Sequence, residues 1–242
     1  MDLSLFENQK YSQNGEDGIT IKLIELIYNG NNDNKIYVEC SVENDIMCNT
    51  RIIRETYNWN GLHLYYGGEE GSIYLKKEEI TKENIVELLQ KYNVPQNINV
   101  LSLDIDFNDF YCLKEILNNY KCDIIICEYN GSHLVNEDKI VIYDKNCRWD
   151  GSNYFGASLL SLYNLGEKYN YSLVYCESKG INCFFINNEI LQNNDIQINN
   201  IGDLTKIYKP ANYSSGPNGS NGGHTQDIHN REYISFVEAI LI

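Results

Sequence analysis

The run VLSLDIDFNDFYCLKEI, Val100 to Ile116, constrains this chain more than any other stretch. A continuous apolar segment ends abruptly at Asp104, Ile105 and Asp106, and the spacing of a helix with one apolar face begins directly after it. A run of that kind is a strand buried on both faces, which places it inside an α/β sheet. Open sheets of this class bind ligands at the carboxyl ends of their strands, where Asp104 and Asp106 fall. CDIIICEYN, Cys122 to Asn130, repeats the pattern and ends on Glu128 and Asn130. Two neighbouring strands that deliver acids to one crevice point to a site as well as a core.

Around these two strands, short apolar runs alternate with helix-length periodic segments. Helices are expected over Glu16–Tyr28, Thr50–Tyr57, Lys82–Tyr92, Asp109–Asn118 and Ala157–Tyr169. Strands are expected over Ile36–Cys40, Leu62–Tyr66, Val100–Asp104 and Asp123–Tyr129. The alternation predicts an α/β fold with a mostly parallel sheet and right-handed crossovers. Tyr171 to Glu189 breaks the rhythm and reads as two strands around a Ser-Lys-Gly turn. A C-terminal antiparallel hairpin that closes a parallel sheet is how the Rossmann-like class I methyltransferase fold ends. Residues 1–207 are read as one such domain. The segment 208–242, which opens with a Gly/Ser/Asn-rich stretch expected to be a mobile loop, packs on the same domain.

The chain has 242 residues and a formal net charge of −15, with no visible cluster of Lys and Arg. That balance argues against nucleic acid, which is held through clustered cations that displace counterions. A small molecule or a glycan is the expected substrate, and the oligomeric state is left open. No apolar stretch has the length of a membrane span, and the first residues lack the pattern of a signal peptide, so a cytoplasmic location is expected. The eight cysteines form no C-x-x-C pair and sit in apolar runs, as small buried hydrophobes do.

A string of motifs, in order, resembles the FkbM-like S-adenosylmethionine (SAM)-dependent methyltransferases. It comprises SQNGEDG (Ser12–Gly18), CNTR (Cys48–Arg51), WNGLHL (Trp59–Leu64), LSLDIDFND (Leu101–Asp109), CEYN (Cys127–Asn130), WDGSNYFGASL (Trp149–Leu159) and GINCFFI (Gly180–Ile186). The likeness covers roughly Tyr11 to Glu189. It implies SAM lying across the ends of the first two strands, and transfer of a methyl group to a sugar or small-molecule hydroxyl. In the family the first strand ends in E-x-G-x-x-x-G, whose glycines let the backbone approach the cofactor. Here Glu39 is present, but Ser41 and Asp45 stand at the two glycine positions. Tyr65 stands where the family places the carboxylate that grips the ribose. Glu39, Ser41, Asp45, Tyr65 and Asp104 are thus the residues on which cofactor binding would fall, and the altered loop implies weakened SAM binding or an inactive relative.

On the acceptor side, Asp106 and Glu128 are the candidate catalytic acids, serving as general base or activating a hydroxyl. Asp104, Asp106 and Glu128 form an oxygen-only set suited to Mg²⁺ or a similar hard cation. The bland alternative for Asp104 and Asp106 is that one caps the next helix and the other is solvated. Asn130, His133, Trp149 and Tyr154 are candidate substrate contacts. Trp149 with Asp150, Tyr154 and Phe155 would form an aromatic lid over a sugar ring, or else anchor the helix that follows. Asn130 is alternatively an Asx turn, and Glu39 a partner of Arg51. His63 is expected to be a packed strand residue, and His224 with His229 only a faint zinc pair. Two further functions stay open: a non-catalytic methyltransferase-fold protein binding a glycan or protein partner, and a metal-dependent glycosyltransferase using Asp104-Ile105-Asp106.

Overall fold

Side chains alternate to both sides along the central strands and find apolar cover on each. In the computed structural model, which describes residues 1–31, 33–42, 47–66 and 74–242, the strands are β1 (Ile36–Ser41), β2 (Asn60–Tyr65), β3 (Leu75–Lys77), β4 (Asn97–Asp104), β5 (Lys121–Glu128), the short β6 (Ile140–Val141), β7 (Tyr171–Cys176) and β8 (Asn182–Asn187). The helices are α1 (Glu16–Tyr28), α2 (Arg51–Tyr57), α3 (Ile85–Lys91), α4 (Asp109–Asn119), α5 (Leu159–Lys168), α6 (Asn188–Asn193), α7 (Leu204–Ile207) and α8 (Phe236–Ala239).

Leu101, Leu103, Ile125 and Cys127 pack beneath α3, α4 and α5. Val100, Ile124 and Ile126 face the opposite layer, with Ile19, Leu23 and Ile24 of α1 and Ile52 and Ile53 of α2. Burial on both faces is the reason β4 and β5 read as unbroken apolar runs.

Seven strands form one sheet in the order β3-β2-β1-β4-β5-β8-β7. The pairs from β3 through β5 are parallel, while β8 runs antiparallel to both β5 and β7. This is the class I methyltransferase-like α/β fold. β4 and β1 are adjacent at the centre, where the strand order reverses, so the crevice for a ligand opens at their carboxyl ends.

The predicted helices and strands match in position, with ends shifted by at most three residues. β3 and the short helices α6, α7 and α8 were not foreseen. α1 stops at Asn29, which takes the left-handed conformation (φ 45°) and donates its N–H to Glu25 O. Gly18 is forced by a close approach: a Cβ there would lie 1.8 Å from Phe6 O. The C-terminal segment returns to the sheet's rim, pairing Tyr233–Ile234 with β6. Its Gly/Ser/Asn-rich part holds a small antiparallel ladder of Ser215–Gly216 against Gly219–Ser220. Among the described residues no helix is long and apolar enough to cross a membrane.

Candidate functional site

A cavity of about 540 Å³ opens at the carboxyl ends of β1, β4 and β5, within the roughly 300–1,000 Å³ of small-molecule sites. Asp104 is the last residue of β4 and Glu128 the last of β5, so both carboxylates reach it from adjacent strands. Asp106 joins them, and Asp104, Asp106 and Glu128 offer oxygens that all lie within 4.8 Å of one another.

The backbone after β4 aims Asp106. Phe107 N donates to Ile105 O at 2.9 Å, closing a three-residue turn around Asp106, which sits at φ 66°. That conformation is uncommon outside glycine and tolerated best by Asp and Asn. Asp109 at the start of α4 holds the turn, its Oδ1 accepting from Ile105 N at 2.8 Å. Packing the acids this closely in a partly buried crevice disfavours their charged forms. Burial, with Asp106 and Asp109 next, raises Asp104 well above the usual carboxylate range. Glu128 is raised by burial and then by Asp104 and Asp106. Asp109 is pushed up to about 7, chiefly by burial.

One wall of the cavity is aromatic. Trp149 and Phe155 line it, and from the C-terminal segment so do Tyr213 and His224. His224 packs against all three, 4.5 Å from Trp149, 5.5 Å from Phe155 and 5.1 Å from Tyr213 between ring centres. Burial lowers the His224 pKa, which favours the neutral ring. The Gly/Ser/Asn-rich stretch therefore contributes part of the site, a role its composition does not reveal.

Asn14 and Asn182 also line the cavity, and the buried Glu16 holds both. Its Oε2 accepts from Asn14 N at 2.8 Å and its Oε1 from Asn182 Nδ2 at 2.9 Å. Asp17 shapes the preceding loop by accepting N–H bonds from Lys10, Tyr11 and Ser12. The SQNGEDG motif thus builds the rim of the crevice.

Three predicted substrate contacts are absent from the cavity wall. Asn130 lies beyond the end of β5, where the chain turns it inward. Its Nδ2 donates to Asn153 O and Phe155 O, and its Oδ1 accepts from Ser132 N. It fixes the loop that carries Phe155. His133 is 5% exposed and stacks edge-on against Tyr233, with burial and Lys139 lowering its pKa to about 4. Tyr154 is buried, donates its hydroxyl to Glu232 O and lies under Arg231. Of the aromatic lid, Trp149 and Phe155 remain; Asp150 pairs with Arg231 instead.

Of the expected cofactor residues, Glu39, Ser41 and Asp104 line the cavity, and the first two are also bonded within the protein. Glu39 lines the cavity, but Asn49 N donates to its Oε1, while Thr50 N and Thr50 Oγ1 donate to its Oε2. These bonds tie β1 to the start of α2. Ser41 Oγ lies 2.7 Å from His63 Nε2, so His63 is packed against the cradle from β2. Tyr65 is fully buried and does not line the cavity. Asp45 lies outside the described residues.

Glu39, Cys48 and His63 form a second buried group with donor atoms within 4.8 Å of one another. No such group among the described residues includes His224 or His229. A comparison with models of known protein families gives no match, and neither does one with curated proteins.

Proposed function

We propose that the chain is an O-methyltransferase-like protein whose crevice receives a hydroxyl-bearing small molecule or sugar between the acids of β4 and β5 and the ring of Trp149. The observation that carries this reading is the convergence of Asp104, Asp106 and Glu128 on one cavity. Closely set acids accept hydrogen bonds from a sugar's hydroxyls, and an aromatic face covers its apolar side. The same oxygen-only set would hold a hard divalent cation such as Mg²⁺, which would acidify a bound hydroxyl.

The described residues do not favour SAM. Glu39 is spent on Asn49 and Thr50, Ser41 carries a side chain bonded to His63, and Tyr65 offers no carboxylate to a ribose. The support for the proposal comes from the acceptor side alone. Calorimetric titration with a panel of sugars tests it: saturable binding weakened by Asp106→Asn supports it, and a folded chain indifferent to every sugar contradicts it.

The strand order, with its antiparallel β5-β8-β7 edge, favours a second reading as an active O-methyltransferase. There Asp106 or Glu128 would take the proton of the acceptor hydroxyl. Saturable heat with SAM at micromolar concentration would establish that reading, and none at millimolar concentration would remove it. Binding of a nucleotide sugar only in the presence of metal would instead favour a glycosyltransferase.

A further inference from the structure

Two acceptors with no partner sit side by side in the crevice. Glu128 and Asn182 are directly opposite each other across the antiparallel β5–β8 pair, and both line the cavity. Glu128 Oε2 and Asn182 Oδ1 are each buried without a hydrogen-bond partner among the described residues. Asn182 is 1% exposed. Its amide orientation is fixed, because Nδ2 donates to Glu16 Oε1 and the opposite orientation would set oxygen against carboxylate. A buried acceptor left unpaired is costly, so a donor belongs beside Asn182 Oδ1, and a cationic donor there would also keep the neighbouring Glu128 in its charged, accepting form. A ligand ammonium brings three donors and no acceptor, together with the charge that the crowded acids lack. Of the charged side chains lining the cavity, Glu39, Asp104, Asp106 and Glu128 face a single lysine, Lys179.

A bare metal ion explains less of the wall. Asn14 Nδ2 is a buried donor without a partner on the same cavity and needs an acceptor. The Trp149, Phe155, Tyr213 and His224 rings offer a surface to a ring or an alkyl-ammonium group. A hydroxylated amine meets all of these demands at once. We propose that the crevice is specific for an amino sugar or similar polyhydroxyl amine, its ammonium seated between Glu128 and Asn182 and its ring against Trp149. The proposal rests on the reading of this cavity as a sugar site, and it does not depend on SAM.

The test is calorimetric titration of the whole chain, in the presence of a chelator, with D-glucosamine, D-glucose, N-acetyl-D-glucosamine and D-glucuronate. Glucosamine is expected to bind at least about tenfold more tightly than the N-acetyl form, which has the same ring without the charge. Glu128→Gln is expected to abolish that preference. The wild-type ligand comparison stands even if the variant fails to fold. Equal binding of glucose and glucosamine overturns the amine specificity and leaves the sugar site standing. Absence of all sugar binding overturns both. Binding of Mg²⁺ in chelator-free buffer with no amine preference in chelator also overturns the proposal.

Discussion

Ser41 at the end of β1 and His63 in β2 are joined by a 2.7 Å contact between Oγ and Nε2, across the strand pair where a methyltransferase cradles its cofactor. A glycine at this position leaves room for a ligand. A serine bonded to the neighbouring strand instead puts a side chain on the cavity wall at that place. Ser41→Ala is expected to leave His63 Nε2 short of this partner and to destabilise the fold by about 1–3 kcal/mol in urea denaturation. An unchanged midpoint would show that the contact carries no weight.

Tyr65→Glu, the change that would restore a ribose carboxylate by sequence logic, is expected to damage the fold. Tyr65 is fully buried and not on the cavity wall. The new carboxylate would enter a space without water, at a cost of several kcal/mol. Thermal unfolding would show a large fall in Tm; a fold of native stability that gains SAM affinity would contradict this placement.

Glu39 is expected to act as a clamp on the start of α2. Glu39→Ala removes the acceptor of Asn49 N, Thr50 N and Thr50 Oγ1, and hydrogen bonds to a charged group contribute roughly 1.5–3 kcal/mol each. Amide hydrogen exchange should accelerate at Asn49 and Thr50 before it does in the central strands.

Asp109 gives the chain a pH dependence of defined sign. Its folded pKa is raised from 3.8 to about 7, chiefly by burial. The folded state therefore holds a proton that the unfolded state has lost. Its contribution is present below the unfolded pKa and disappears as pH rises through about 7. Asp109→Asn keeps an acceptor for Ile105 N without the ionisation. The variant should gain on the wild type between pH 4 and 7, by up to about 4 kcal/mol above that window. Denaturation at a series of pH values measures it, and parallel curves would refute it.

The frame of the fold is legible in the chain because its signals are local. Ile19, Leu23, Ile24 and Ile27 mark α1 by spacing alone, and β4 and β5 end where their apolar runs meet Asp104 and Glu128. β3 is only Leu75–Lys77, too short to carry a period. Within the site, the acids are legible because a carboxylate at a buried strand end has few bland explanations. Asn130 misleads because the strand stops at Glu128 and the next turn points the amide at backbone carbonyls. Asn182 is missed for the opposite reason: β8 is buried along its whole length, so one polar residue there looks like filler. Tyr213 and His224 reach the cavity from a stretch whose Gly, Ser and Asn content has no periodicity, and only tertiary contact brings them there.

The carboxylates of β4 and β5 either share one water-poor hollow or they do not, and ¹³C NMR titration of the Glu128 carboxyl decides this most directly. Burial, reinforced by Asp104 and Asp106, is expected to make Glu128 titrate well above the ordinary glutamate range. Asp106→Asn should move that titration downward. A Glu128 that titrates as an ordinary surface glutamate, and does not respond to Asp106→Asn, would contradict the account.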